Sequence, residues 1–170
     1  MQGRGGERDG QHAGGRVRGA AAAAVGVVAG LQRGGGTAER GDGMTAARIA
    51  EIQSTQIRLS EATAYTRASR VIQEANCLET QEIIGRGDVP DLQTKARYRL
   101  EGAYAVEWAT RAVDVMFGLS GASGLYESGH AARAFRDAHA VKQHFSFNTD
   151  IAGTTYGRVA LGLPSDNPTL

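Results

Sequence analysis

Two arginines, an aspartate and two histidines fall within residues 133–144, as Arg133-Ala-Phe-Arg136-Asp137-Ala-His139-Ala-Val-Lys-Gln-His144. Imidazoles exchange protons near neutral pH, and guanidinium groups grip phosphate or carboxylate in a bidentate fork. The stretch therefore has the chemistry to hold an anion and move a proton. His139 and His144 are five residues apart. On one continuous helix they would project about 140° from each other, on different faces. A helix so rich in ionisable side chains is more polar than a core helix requires, and a ligand or a second element is expected against it.

The elements that must position these residues read as helices. A first helix is predicted over 45–84, with Thr45 as N-cap. Its apolar face runs through Ile49, Ile52, Leu59, Ala62, Tyr65, Ser69, Ile72 and Asn76, at helical spacing. Gly85 is placed to end it and Pro90 to prevent its continuation. Asp91 is the expected N-cap of a second helix running to about residue 119. Its stripe is Leu92, Ala96, Leu100, Ala103, Trp108, Ala112, Val115 and Leu119, with Tyr104 also facing inward. The Gly-Leu-Ser-Gly-Ala-Ser-Gly run over 118–124 reads as a loop. A third helix is predicted over 128–150, and short helix or coil after Gly153. Arg67, Arg70, Glu74 and Glu79 read as a solvated face. Helices this long suit an up-down bundle packed through short turns, so the fold class is all-α. Three helices leave one face of such a bundle open.

Residues 1–43 are different. They hold 14 of the 24 glycines and six arginines, with no lysine and no aromatic residue. Such a segment buries too little apolar surface to offset chain entropy, so a disordered, low-complexity segment is expected before a helical domain over 44–170. Arg4, Arg8, Arg16 and Arg18 resemble an RNA-binding tail, although a segment without a selected role is the simpler reading. The change of composition beside Met44 also fits an out-of-frame reading of a GC-rich coding region, which translation of the other two upstream frames would test. Residues 20–29 lack the leucine and phenylalanine of a signal peptide.

The chain has 170 residues and a formal charge of +1, which gives no bulk electrostatic reason to expect nucleic acid or a membrane as partner. One cysteine, Cys77, leaves no internal disulfide and no paired-cysteine metal cluster. A free thiol fits a cytoplasmic location.

The 118–124 loop, the Arg/Asp/His helix and the ending Gly157-Arg-Val-Ala-Leu-Gly-Leu-Pro164, in this order, resemble the C-terminal helical domain of the acyl-CoA dehydrogenase fold. More narrowly, they resemble its branch of two-component flavin monooxygenase oxygenase components. The resemblance implies a reduced flavin cofactor (FMN or FAD), a homotetramer, a possible separate flavin reductase and hydroxylation of an aromatic or polycyclic substrate. It implies that His144 faces the flavin and assists its reaction with oxygen, rather than simply bonding a bundle carbonyl. It implies that Arg133, His139, Gly121 and Ser123 contact cofactor, with Arg133 on phosphate and the glycine loop approaching by its backbone. The family's other domains and the first helix of this bundle have no counterpart in the sequence. The chain therefore reads as a fragment, inactive by itself. Two alternatives stand beside this: a fragment of an acyl-CoA dehydrogenase proper, and a non-enzymatic helical oligomerisation module.

Overall fold

The computed structural model describes residues 46–121, 130–165, 167, 168 and 170. The expected segment 1–43, the Thr45 cap, Ser123 and the start of the predicted third helix lie outside the described residues. Within them the chain is helical throughout: α1 (Ala46–Ala50), α2 (Gln53–Gly85), α3 (Leu92–Leu119), α4 (His130–Lys142), a 3₁₀ turn (Phe145–Phe147) and α5 (Thr149–Ala160). The all-α reading holds.

Local chemistry sets most boundaries. The predicted first helix breaks at Ile52, whose backbone is extended. The side chain of Gln56 spans the break by donating to the Ala50 carbonyl at 3.0 Å. α2 then runs without Gly or Pro to Gly85. The left-handed residue that ends it is Gly87, with φ +82°, rather than Gly85. Gly87 N–H donates to Ile84 O and Asp88 N–H to Ile83 O, a Schellman closure that satisfies two terminal carbonyls. α3 starts as predicted. Asp91 accepts from Thr94 N–H at 2.8 Å, a bond that holds its carboxyl below the usual aspartate range.

α3 is the hub. It packs against α2 on one side and against α4, α5 and the 3₁₀ turn on others. Ala96, Ala103, Ala105, Val106, Ala109, Thr110, Ala112, Val113 and Met116 are all buried. Five of these nine are alanines, so neighbouring helices approach closely. Being covered on several sides, α3 does not follow the single predicted stripe: Leu92 and Tyr104 are exposed and Trp108 is half-buried. The predicted face of α2 fares better, since Ala62 and Ser69 are fully buried. Ser69 Oγ donates to the Ala105 carbonyl at 2.7 Å, tying α2 to α3. Glu79 leaves the solvated face assigned to it and bonds Arg97 of α3 at 2.6 Å. Arg70 and Glu74 do pair on the exposed side.

The predicted third helix is the largest correction. It ends at Lys142, and α5 is a separate helix that passes through Gly153 and Gly157 to Ala160, so that the tail after Gly153 takes the short-helix form of the two expected for it. Asn148 is the reason. Its side chain accepts from the N–H groups of Asp150 and Ile151, both at 3.0 Å, and so caps a new helix with an acidic residue in its first turn. Burial of Ala152 and Thr155 against α3 then outweighs the helix cost of the two glycines.

Candidate functional site

The break at Lys142 separates the two histidines. His139 sits in the last turn of α4, whereas His144 lies in the connection and starts the 3₁₀ turn. The single-helix geometry expected for them does not apply.

His139 belongs to an antiparallel polar seam between α3 and α4. Its Nε2 lies 2.8 Å from Asp114 Oδ1. Further back along α3, Glu107 receives Lys142 at 2.7 Å and Arg111 at 3.0 Å. At the other end the Phe135 ring lies between Phe117 (4.5 Å) and His139 (4.3 Å). A carboxylate on Nε2 favours the tautomer that carries its proton there, which leaves Nδ1 as the acceptor. Asp114 carried no mark in the sequence. Its only signal was helical spacing from Glu107 and Arg111, which places it on the same side of α3.

The Lys142 bond holds the Glu107 carboxyl below the usual glutamate range. Partial burial opposes this, and the Arg111 bond adds to it. A carboxylate with a depressed folded-state pKa contributes stability that is full above its unfolded pKa and is lost as pH falls through the folded value. Glu107→Gln should therefore cost about 1 kcal/mol near pH 7. The difference from the parent should shrink on acidification, as read by urea unfolding at a series of pH values.

His144 is exposed, and its Nδ1 accepts from Ser146 N–H at 3.3 Å. The ring therefore caps the 3₁₀ turn, with Phe145 and Phe147 at 5.0 and 5.8 Å. Its proton, when neutral, belongs on Nε2. Arg133 is 79% exposed and lies 3.6 Å from Asp137, so its donors remain open to an anion. Arg136 is exposed, and although it adjoins Asp137 in sequence, the ion pair of Asp137 is with Arg133. Gly121 has φ +59°, and a Cβ at that position would meet nothing within 4 Å. It is the left-handed residue after the Ser120 cap of α3, a conformation L side chains adopt rarely.

A cleft of about 520 Å³ lies beside this face, lined by Arg99, Phe145, Asp150, Ile151, Thr154, Thr155, Asn167 and Pro168. The Arg99 guanidinium stands 5.7 Å from the Phe145 ring centre. Asn167 Nδ2 donates to Thr155 Oγ1 at 3.3 Å, bringing the tail back along α5. None of Arg133, His139, His144 and Gly121 lines this cleft, although Phe145 adjoins His144. Sequence reasoning missed it because it exists only where the tail folds back on α5.

These residues fit one wall of a cofactor site: an exposed guanidinium, two imidazoles with assigned acceptor roles and neighbouring aromatic rings. They do not enclose one. Among the described residues no three His, Cys, Asp or Glu side chains are grouped to hold a metal ion, and no helix is long and apolar enough to cross a membrane.

Comparison with known proteins accords with this geometry. Residues 12–149 match the family model described as acyl-CoA dehydrogenase, C-terminal domain. The chain is 32% identical over 154 residues to the oxygenase component of an FADH(2)-dependent resorcinol hydroxylase from Rhizobium sp. (strain MTP-10005), covering 88% of this chain and 36% of that protein. It is 30% identical over 127 residues to the oxygenase component of p-hydroxyphenylacetate 3-hydroxylase from Acinetobacter baumannii, covering 74% and 30%. Thus it spans about a third of the length of these relatives. The fold matches XiaF from Streptomyces sp., solved in complex with FADH2 and glycerol, with a TM-score of 0.81 at 19% identity, covering 93% of this chain and 40% of that one. It also matches 3-HSA hydroxylase from Rhodococcus sp. RHA1, with a TM-score of 0.79 at 21% identity, covering 94% and 39%. The chain belongs to the acyl-CoA dehydrogenase C-terminal domain family.

Proposed function

We propose that this chain is the C-terminal helical portion of a flavin-dependent monooxygenase oxygenase component, of the kind that hydroxylates an aromatic ring with reduced flavin and oxygen. The observation that carries the reading is the 32% identity over 154 residues to a resorcinol hydroxylase oxygenase component. Reduced flavin, FMN or FAD, supplies the electrons that activate oxygen. The chain's own residues bind and manage protons. Arg133 offers its open guanidinium to the flavin phosphate. His139, held by Asp114, presents Nδ1 as an acceptor. His144, its Nδ1 accepting from Ser146 N–H, would hold or move a proton at Nε2. Gly121 and Ser123 are the loop residues that would contact the cofactor. The remaining walls come from outside this sequence, including other subunits of a homo-oligomer. The setting is the cytoplasm, with a separate reductase delivering the flavin.

Anaerobic titration of the chain with reduced FMN and reduced FAD tests this. Weak but measurable binding is expected, reduced by Arg133→Ala, with no hydroxylated product from the chain alone. His144→Asn should leave binding intact and alter reoxidation when oxygen is admitted, because Asn keeps an acceptor for Ser146 N–H but cannot shuttle a proton. Absence of any flavin binding would remove the site assignment while leaving family membership in place. Reduction of bound oxidised flavin by an acyl-CoA would overturn the monooxygenase reading in favour of a dehydrogenase.

A further inference from the structure

The side of α2 that faces away from α3 carries a second apolar seam. Ala62, Thr66 and Ser69 are the buried residues of this helix. Two positions after Ala62, about 200° round the helix, stands Ala64, followed by Ala68, Val71, Ala75 and Leu78, with Ile57 a heptad earlier. From Ala64 onward these residues alternate by fours and threes, the spacing of a coiled-coil seam. Ile57 is 57% exposed, Val71 48% and Leu78 60%. Ala64 and Ala75 are exposed as well. No described element covers the seam. Its centre is alanine and valine, small enough for a second helix to come close, and Glu61 and Glu82 continue the register at its two ends.

We propose that this face pairs antiparallel with the same face of a second copy of the chain, about a two-fold axis passing between Ala68 and Val71. A two-fold contact must be self-complementary, and this sequence is. In the antiparallel register Ala64 meets Ala75 of the other copy and Ala68 meets Val71. Arg67, which flanks the seam and makes no ion pair among the described residues, comes opposite Glu74 of the other copy, and the symmetry forms that pair twice. Among the described residues Glu74 pairs only with Arg70 of its own helix, on the exposed side. A parallel arrangement would instead set Glu74 beside Glu79 of the other chain, like charge on like. The paired stretch 57–82 is about 38 Å long at the helical rise. This surface gives the proposed homo-oligomer its contact and rests on that reading.

Sedimentation of the full 170-residue chain over a range of concentrations, in reducing buffer because Cys77 is exposed, provides the test. The chain should self-associate. Arg67→Glu or Glu74→Arg should each weaken association about tenfold or more, by setting like charges opposite each other. The double exchange Arg67→Glu with Glu74→Arg should restore it to within about threefold of the parent. Val71→Glu should leave monomers. Arg67, Val71 and Glu74 are all exposed, and circular dichroism should show unchanged helix content. An oligomer indifferent to Arg67→Glu and Val71→Glu would overturn this surface while leaving the oligomer reading in place. Single losses without recovery in the double exchange would overturn the antiparallel pairing. A chain monomeric at every concentration would overturn both the surface and the oligomer.

Discussion

Met116→Ala should lower unfolding stability by about 2–5 kcal/mol and loosen α4 before the rest of the chain. Met116 is fully buried and belongs to one cluster with Ala62 of α2, Ala112 and Val113 of α3, and Ala134 and Ala138 of α4. Leu59, Tyr65, Leu119 and Phe135 pack around it. Every buried neighbour in that cluster except Val113 is an alanine, and Met116 is the largest fully buried side chain where the three helices meet. The alanines have nothing to swing into the space left behind, so only the partly buried side chains around the cluster can relax toward it, and a partial cavity is expected. Of these three helices α4 is the shortest and has the weakest independent hold. It is 13 residues long, too short to stand alone as a helix in water. Urea unfolding gives the total loss. Amide exchange should show the fastest gain in α4, where Arg133 and His139 reside. Uniform acceleration across α2, α3 and α4 would mean that Met116 stabilises the whole bundle rather than the docking of the candidate site.

Ser69→Leu should cost about 2–4 kcal/mol, whereas Ser69→Ala should cost only about 1 kcal/mol. Ser69 is completely buried where α2 meets α3, and its hydroxyl bonds the Ala105 carbonyl. Ala103, Ala105 and Ala109 are also buried, at or below 1% exposure. A small hydroxyl fits this approach and satisfies itself there. Alanine loses one neutral hydrogen bond and leaves a void smaller than a methyl group. Leucine loses the same bond and forces the two longest helices apart along their contact. Thermal and urea unfolding of the two variants separate these costs. Equal losses would show that the hydrogen bond, and not the closeness of the helices, governs the site.

Residues with local hydrogen-bonding consequences are readable in order. Pro90 and Asp91 announce the start of α3, and the glycines after Ile84 announce the end of α2, although the left-handed turn falls at Gly87 and not at Gly85. The Asn148-Thr-Asp run is equally local, an N-cap followed by an acid, but the histidine spacing invites one uninterrupted helix across it. The chemistry-bearing residues are legible by type. Arg133, His139 and His144 stand on or just beyond one short helix and face outward enough to react.

By itself, then, the sequence determined an all-α chain, the bodies of its long helices, the inner face of α2 and the residues able to bind an anion or move a proton. The tertiary structure decided the rest. It chose Asp114 as the partner of His139 and Glu107 as that of Lys142, because antiparallel packing of α3 and α4 brings together residues about 25 and 35 positions apart. It carried α5 through two glycines because burial against α3 exceeds their helix cost. It turned α3 from a one-sided amphipathic helix into a hub buried on several sides. Caps and turns depend on hydrogen bonds within a few residues, so they are written along the chain. Which faces are buried, and which charges meet, depends on surfaces that exist only once the helices have packed.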